Sequence, residues 1–229
     1  MTPETLARVH EEMRAQDFSI VEDRDFDMPY LHVDIVDWFY QPSIMIPEGD
    51  TKGPVADRYR IKDMCVYHRD GDRVTLKPIP DPSLARIGSG DAARNVPRFD
   101  FLSLWPVGHF VKQLLNLVPP ERRHPKGTFG VHAFRSFSRV VDGPHQDGFE
   151  FGATMVLAQV GGGGDSYLIR HGETVLSQRL KPGQILFYED SKFFHGANPL
   201  SGEGCRRDAL VIQFDSPEDH AAATDGGML

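Results

Sequence analysis

Apolar residues along the chain follow two periods, with a change of character near residue 128. Over residues 2–16, Leu6, Val9 and Met13 recur at helical spacing, Thr2 stands ready to cap the first turn, and Pro3 suits the first helical position. This predicts a helix. A second is predicted over 107–117, where Phe110, Leu114 and Leu117 share a face and Pro119-Pro120 stops the run. Residues 81–100 mix Pro, Gly, Ser and Ala with little periodicity and read as a loop. After 128 come short strand-like runs at 128–137, 152–160, 166–170, 174–180, 184–188 and 209–214. The residues 161–164, 171–173 and 181–183 separate them with glycine and proline turn chemistry. Closely spaced antiparallel strands of this kind predict a barrel or jelly roll.

Composition narrows the choice of partners. At 229 residues and 40% apolar content the chain suits one domain with a sizeable core. A net charge of -8 weighs against nucleic acid and against an anionic membrane surface, both of which call for basic patches. Cys65 and Cys205 have no metal-ribbon spacing and read as reduced thiols. The amino terminus has no charged-then-apolar leader pattern, and no apolar run approaches the ~20 residues that span a bilayer. A cytoplasmic protein is expected, its oligomeric state open.

Three His-x-Asp triplets occur, at His32/Asp34, His68/Asp70 and His145/Asp147, where chance supplies about one, so context must choose. His68 and Asp70 run into Asp70-Gly71-Asp72 before Val74, a hairpin signature in which Asp70 shapes a turn. His32 and Asp34 lie in the alternating segment 31–35, which reads as a half-buried strand with its polar side in water. His145-Gln146-Asp147-Gly148 follows a strand and a Gly143-Pro144 turn, where a barrel mouth opens, and 48 residues after Asp147 stands His195. Two imidazoles and a carboxylate form the facial triad that suits non-haem Fe(II) and leaves positions open for a chelating cosubstrate and oxygen. Twelve residues after His195 comes Arg207, placed to grip a distal carboxylate bidentately, with Arg206 as the alternative should the strand register differ by one. A cupin-like metal module or a redox-neutral isomerase would keep the histidines without needing that arginine.

These segments resemble the bacterial 2-oxoglutarate/Fe(II)-dependent dioxygenase family that includes L-isoleucine dioxygenase, a hydroxylase of free amino acids. The resemblance rests on Gly130-Val-His-Ala-Phe-Arg135, Gly143-Pro-His-Gln-Asp-Gly148, 162–166, 182–186, Tyr188-Glu-Asp190, His195-Gly196 and 207–211, and spans roughly 57–214. It implies a mainly β fold with flanking helices around a double-stranded β-helix (jelly-roll, cupin-like) core. Residues 1–127 would flank the core, 128–214 would carry the metal-binding strands, and 215–229 would form a flexible tail. It also implies Fe(II) on His145, Asp147 and His195, and 2-oxoglutarate anchored through its C5 carboxylate by Arg207. The reaction implied uses O2, converts 2-oxoglutarate to succinate and CO2, and hydroxylates the side chain of a free amino acid or close derivative; desaturation and ring closure use the same chemistry. The intact Asp147 argues against halogenation, which needs that coordination position.

Further residues are expected around this centre. Thr154 and Tyr188 are candidate hydroxyl donors to 2-oxoglutarate. Arg135, on a strand expected to reach the barrel interior, is a candidate for a substrate carboxylate, with a surface or structural ion pair as the equal alternative, and Glu150 is a candidate for a substrate ammonium. His132 reads as a packed histidine. Arg58 and Arg60 fall either near the pocket mouth or on a charged edge strand, and the edge is favoured.

Overall fold

The computed structural model describes residues 1–41, 43–47, 58–79, 100–137 and 143–215. Its framework is a large antiparallel sheet with a smaller one beside it. Thr2 caps α1 (Pro3–Gln16) by accepting a hydrogen bond from the Thr5 amide, which secures one of the amides a helix start leaves unpaired. There follow β1 (Phe18–Glu22), α2 (Leu31–Phe39), β2 (Ile46–Pro47) and the hairpin β3 (Arg58–Asp70) with β4 (Arg73–Pro78). The expected second helix is α3 (Trp105–Leu114), continued by a 3-10 turn over Leu115–Leu117. The remaining strands are β5 (Lys126–Ser136), β6 (Phe151–Gly163), β7 (Ser166–Arg170), β8 (Glu173–Gln178), β9 (Gln184–Glu189), β10 (Phe194–Ala197) and β11 (Leu200–Phe214). In the large sheet the order is β1-β9-β6-β11-β5-β3-β2, with β4 joined to β3; the small sheet is β10-β7-β8. This is the expected mainly β, cupin-like core with short flanking helices.

Alternation along each strand divides the side chains between two environments. On β11, Leu210, Ile212 and Phe214 face the helices and pack with Met13, Ile35, Phe110 and Leu114 in the main core. Arg207, Ala209, Val211 and Gln213 face the other way, toward the small sheet. There a second apolar cluster, with Val156, Leu168, Leu186, Tyr188 and Phe193, closes the space between the sheets.

Several sequence expectations are corrected. Residues 31–35 form the start of α2, not a strand: Leu31, Ile35 and Phe39 are buried at a spacing of four, a period that a five-residue window cannot separate from alternation. The glycines from 161 are not simply a separator, because β6 runs on to Gly163 and pairs Gly162 and Gly163 with Ser201 and Leu200 of β11. β11 therefore begins nine residues before the expected 209, and β10, which carries His195, was not expected at all. Arg58 and Arg60 do not form a solvent-facing edge: β5 pairs with both, and Arg58 is buried. The expected loop at 81–100 lies outside the described residues except for Asp100. Asp215, the first residue of the expected tail, is buried and accepts a hydrogen bond from Tyr67; the rest of the tail lies outside the described residues. Among the described residues no helix is long and apolar enough to cross a membrane.

Candidate metal centre

The chain brings His145, Asp147 and His195 together, with one ligand atom from each lying within 4.8 Å of the others. Reciprocal backbone bonds do this: His145 N donates to His195 O at 3.1 Å, and His195 N to His145 O at 2.9 Å. The loop carrying the His-x-Asp triplet is thereby zipped to β10. His195 Nε2 stands 3.2 Å from one Asp147 oxygen and His145 Nε2 3.6 Å from the other.

The second ring nitrogens are also engaged. His145 Nδ1 donates to the Gly143 carbonyl at 2.8 Å, and His195 Nδ1 lies 3.0 Å from Asp190 Oδ1. Each pairing fixes the ring so that Nε2 faces the carboxylate, as outer partners of metal-binding histidines do. Asp190 is fully buried, and its other oxygen accepts from the amides of Asp147 and Gly148 at 2.9 and 3.0 Å. One carboxylate therefore holds both halves of the triad. Sequence reasoning gave Asp190 no role, although Tyr188-Glu-Asp190 is among the segments that carry the family resemblance.

Charge within the cluster favours a cation. Burial pushes Asp147 up, but hydrogen bonding and charge from His195, with His145 and Gln213, outweigh it and hold the carboxyl well below its usual range. Burial pulls His195 down, yet Asp147 and Asp190 outweigh it and raise the imidazole to about 9. Two imidazoles and one carboxylate, with no thiolate, match Fe(II) in a 2-His-1-carboxylate site. His145 remains 38% exposed at its side chain while His195 is 11% exposed, so the cluster opens on one side.

Arg207 lies on the same inner face, three alternations along β11 from Gln213 by way of Ala209 and Val211. It is buried, and Nη2 donates to Ser166 Oγ of β7 at 2.8 Å. Its Nε has no partner among the described residues. Burial lowers the guanidinium to about 10, which leaves it protonated at neutral pH. Arg206 points to the other face, with Nε 3.3 Å from Asp208. Tyr188 also reaches the centre, its ring 4.9 Å from that of His195. Gly152 opposite it makes the approach possible, because a Cβ there would lie 2.6 Å from the tyrosine ring. Thr154 sits on this face too, paired with Val211.

Two expected residues are not brought to the centre. Arg135 points to the helix side of the sheet, because alternation on β5 turns His132 and Phe134 inward and Arg135 outward. Its guanidinium makes two 2.8 Å bonds to the fully buried Asp208 and stacks on Tyr40. Arg135→Ala should therefore cost about 3–5 kcal/mol of stability, the usual effect of stripping one partner from a buried pair. Urea unfolding at pH 7 would read this, and an undiminished midpoint would refute the structural role. Glu150 is held by His124 at 2.6 Å, in a separate His124/Glu150/Asp215 cluster.

The profile of the family described as 2OG-Fe dioxygenase matches residues 100–213, a span that holds the triad, Asp190 and Arg207. The chain belongs to the 2OG-Fe(II) dioxygenase superfamily. It is thus a 2-oxoglutarate-dependent dioxygenase, and the redox-neutral cupin reading falls away. No curated protein matches the dioxygenase in sequence. Solved structures are similar in fold. A bsmA homolog from Methylobium petroleophilum PM1 superposes with a TM-score of 0.75 at 19% identity, covering 93% of each chain. IDO from Bacillus thuringiensis gives 0.70 at 16% identity, covering 92% of this chain and 99% of its own. A 2OG-Fe(II) oxygenase family oxidoreductase from Burkholderia pseudomallei gives 0.54 at 16%, covering 92% and 89%.

Proposed function

We propose that the dioxygenase hydroxylates the side chain of a free α-amino acid or a close derivative. In this reading His145, Asp147 and His195 hold Fe(II), and Arg207, steadied by Ser166, binds the C5 carboxylate of 2-oxoglutarate. Thr154 and Tyr188 offer hydroxyls nearby. When bound, iron and 2-oxoglutarate together supply an oxidant able to take hydrogen from an unactivated C–H bond. Substrate, 2-oxoglutarate and O2 become hydroxylated substrate, succinate and CO2.

The observation that carries this reading is the shared inner face. One sheet surface joins the triad, a buried arginine with an unpartnered Nε, and the basic side chains of Arg58, Arg60 and Lys62 on β3. Buried and half-buried cations on the face that adjoins a metal centre suit two small carboxylates, one from each reactant. The sequence resemblance to free-amino-acid hydroxylases supplies the amino-acid class.

A panel of amino acids incubated with Fe(II), ascorbate and 2-oxoglutarate tests it, with succinate quantified and product masses read. A gain of one oxygen is expected; a loss of two hydrogens would replace hydroxylation by desaturation or ring closure. Succinate formation stimulated by a peptide or a carrier-bound acyl group, and by no free amino acid, would overturn the substrate class.

A further inference from the structure

His132 stands at the middle of the inner face, opposite Lys62 on one side and Val211 on the other. Val211 adjoins Gln213 along that face, and the Asp147 charge acts on the His132 ring. The imidazole is 1% exposed and lies parallel to Phe134, with centroids 6.0 Å apart. Its Nδ1 is approached by Arg60, whose Nε stands 3.2 Å away and Nη2 2.5 Å away. A guanidinium has only donors, so Nδ1 must offer its lone pair. The single ring proton then resides on Nε2. Burial, with help from Arg60, pulls the imidazole well below its usual range, so a second proton does not join it.

This leaves one N–H whose direction is fixed by its neighbours. Nε2 is buried and has no hydrogen-bond partner among the described residues. A buried donor left unsatisfied is costly, and such groups in folded proteins are met by a ligand or a bound water. Arg58 and Arg60 both stack over Phe134, at 4.9 and 4.7 Å, which places positive charge around the same spot. An oxygen acceptor with negative charge suits this donor better than a neutral one.

We infer that His132 is a substrate-binding residue whose Nε2–H, held in that tautomer by Arg60, donates to an anionic oxygen of the organic substrate. In the amino-acid reading, on which this assignment partly rests, that oxygen belongs to the α-carboxylate. His132 then takes the place expected of Arg135.

Nitrogen-detected NMR of labelled imidazoles, on protein loaded with Zn(II) and 2-oxoglutarate, reads the tautomer without turnover. His132 should be neutral and protonated on Nε2 between pH 6 and 8, and its Nε2 resonance should move when the priming amino acid is added. A proton on Nδ1, or an imidazolium, would refute the inference whatever the substrate.

Kinetics supply the second arm. His132→Phe keeps an aromatic ring against Phe134 and removes the donor. It should raise the KM for the amino acid about 10- to 100-fold, the loss of one hydrogen bond to a charged group. Affinity for 2-oxoglutarate should stay within about twofold, since that cosubstrate is not assigned to this N–H. Wild-type protein should discriminate against the matched carboxamide, and His132→Phe should lose that preference. Discrimination retained in the variant would mean that Nε2–H meets only a bound water. If no free amino acid primes the reaction, the amino-acid reading fails separately. The same carboxylate–carboxamide comparison then runs on 2-hydroxy acids and N-acyl amino acids, and no carboxylate moving the Nε2 resonance would overturn the inference itself.

Discussion

Asp147→Ala, His145→Ala and His195→Ala are each expected to abolish substrate turnover and to lose stoichiometric iron. The three side chains supply every protein ligand atom in the cluster, and removing any one leaves two donors where a facial site needs three. Asp190→Asn should be milder. It keeps the shape but weakens the hold on His195 Nδ1 and on the Asp147 amide, and outer partners of this kind contribute roughly 10–100-fold in metal affinity. His68→Ala, on the β3–β4 hairpin, should leave iron and turnover intact. His32→Ala should also retain iron, though it strips the buried Asp23 of a 2.5 Å partner and should lower stability. Iron content, 2-oxoglutarate consumption and product formation per folded chain measure these effects. Activity surviving in His195→Ala, or iron lost from His68→Ala, would refute the triad.

Arg207→Ala should raise the 2-oxoglutarate requirement about 30-fold or more, against a small change in KM for the organic substrate. Truncating one side of a buried charge pair costs roughly 2–5 kcal/mol, and each 1.4 kcal/mol is tenfold. The guanidinium is buried, and Ser166 engages only Nη2, so its unpartnered Nε can meet a carboxylate. Arg207→Lys should recover little, since an ammonium cannot reproduce the planar fork. Arg206→Ala should leave the 2-oxoglutarate requirement unchanged, because that side chain turns toward Asp208 on the opposite face. The reverse result for the two arginines would transfer the role to Arg206.

Much of this centre was legible because its signals are local. The glycine-marked turn before His145, the second histidine and the following arginine each stand out in a few residues of sequence, and two helices declared themselves by cap and period. The α2 segment misled for the same reason: over five residues, apolar positions at 31, 33 and 35 satisfy alternation, and only burial of Phe39 with Ile35 and Leu31 reveals the helical face. β10 gave no strand signal, being four residues long and held by pairing with β7 and with His145, not by its own composition.

By itself, then, the sequence marked the donor set and the mainly β core through residue type and spacing, and its family resemblance carried the superfamily's chemistry. Tertiary structure alone decided which face each strand residue occupies. A shift of one residue reverses a side chain's face, and which face becomes interior depends on partners distant in the chain. That is why Arg135 and His132, three residues apart on β5, exchanged expected roles. Arg135 is tied to Asp208, 73 residues away, and His132 is oriented by Arg60, 72 residues away. Asp190 likewise gains its meaning only when folding sets its two oxygens between His195 and the amides of Asp147 and Gly148.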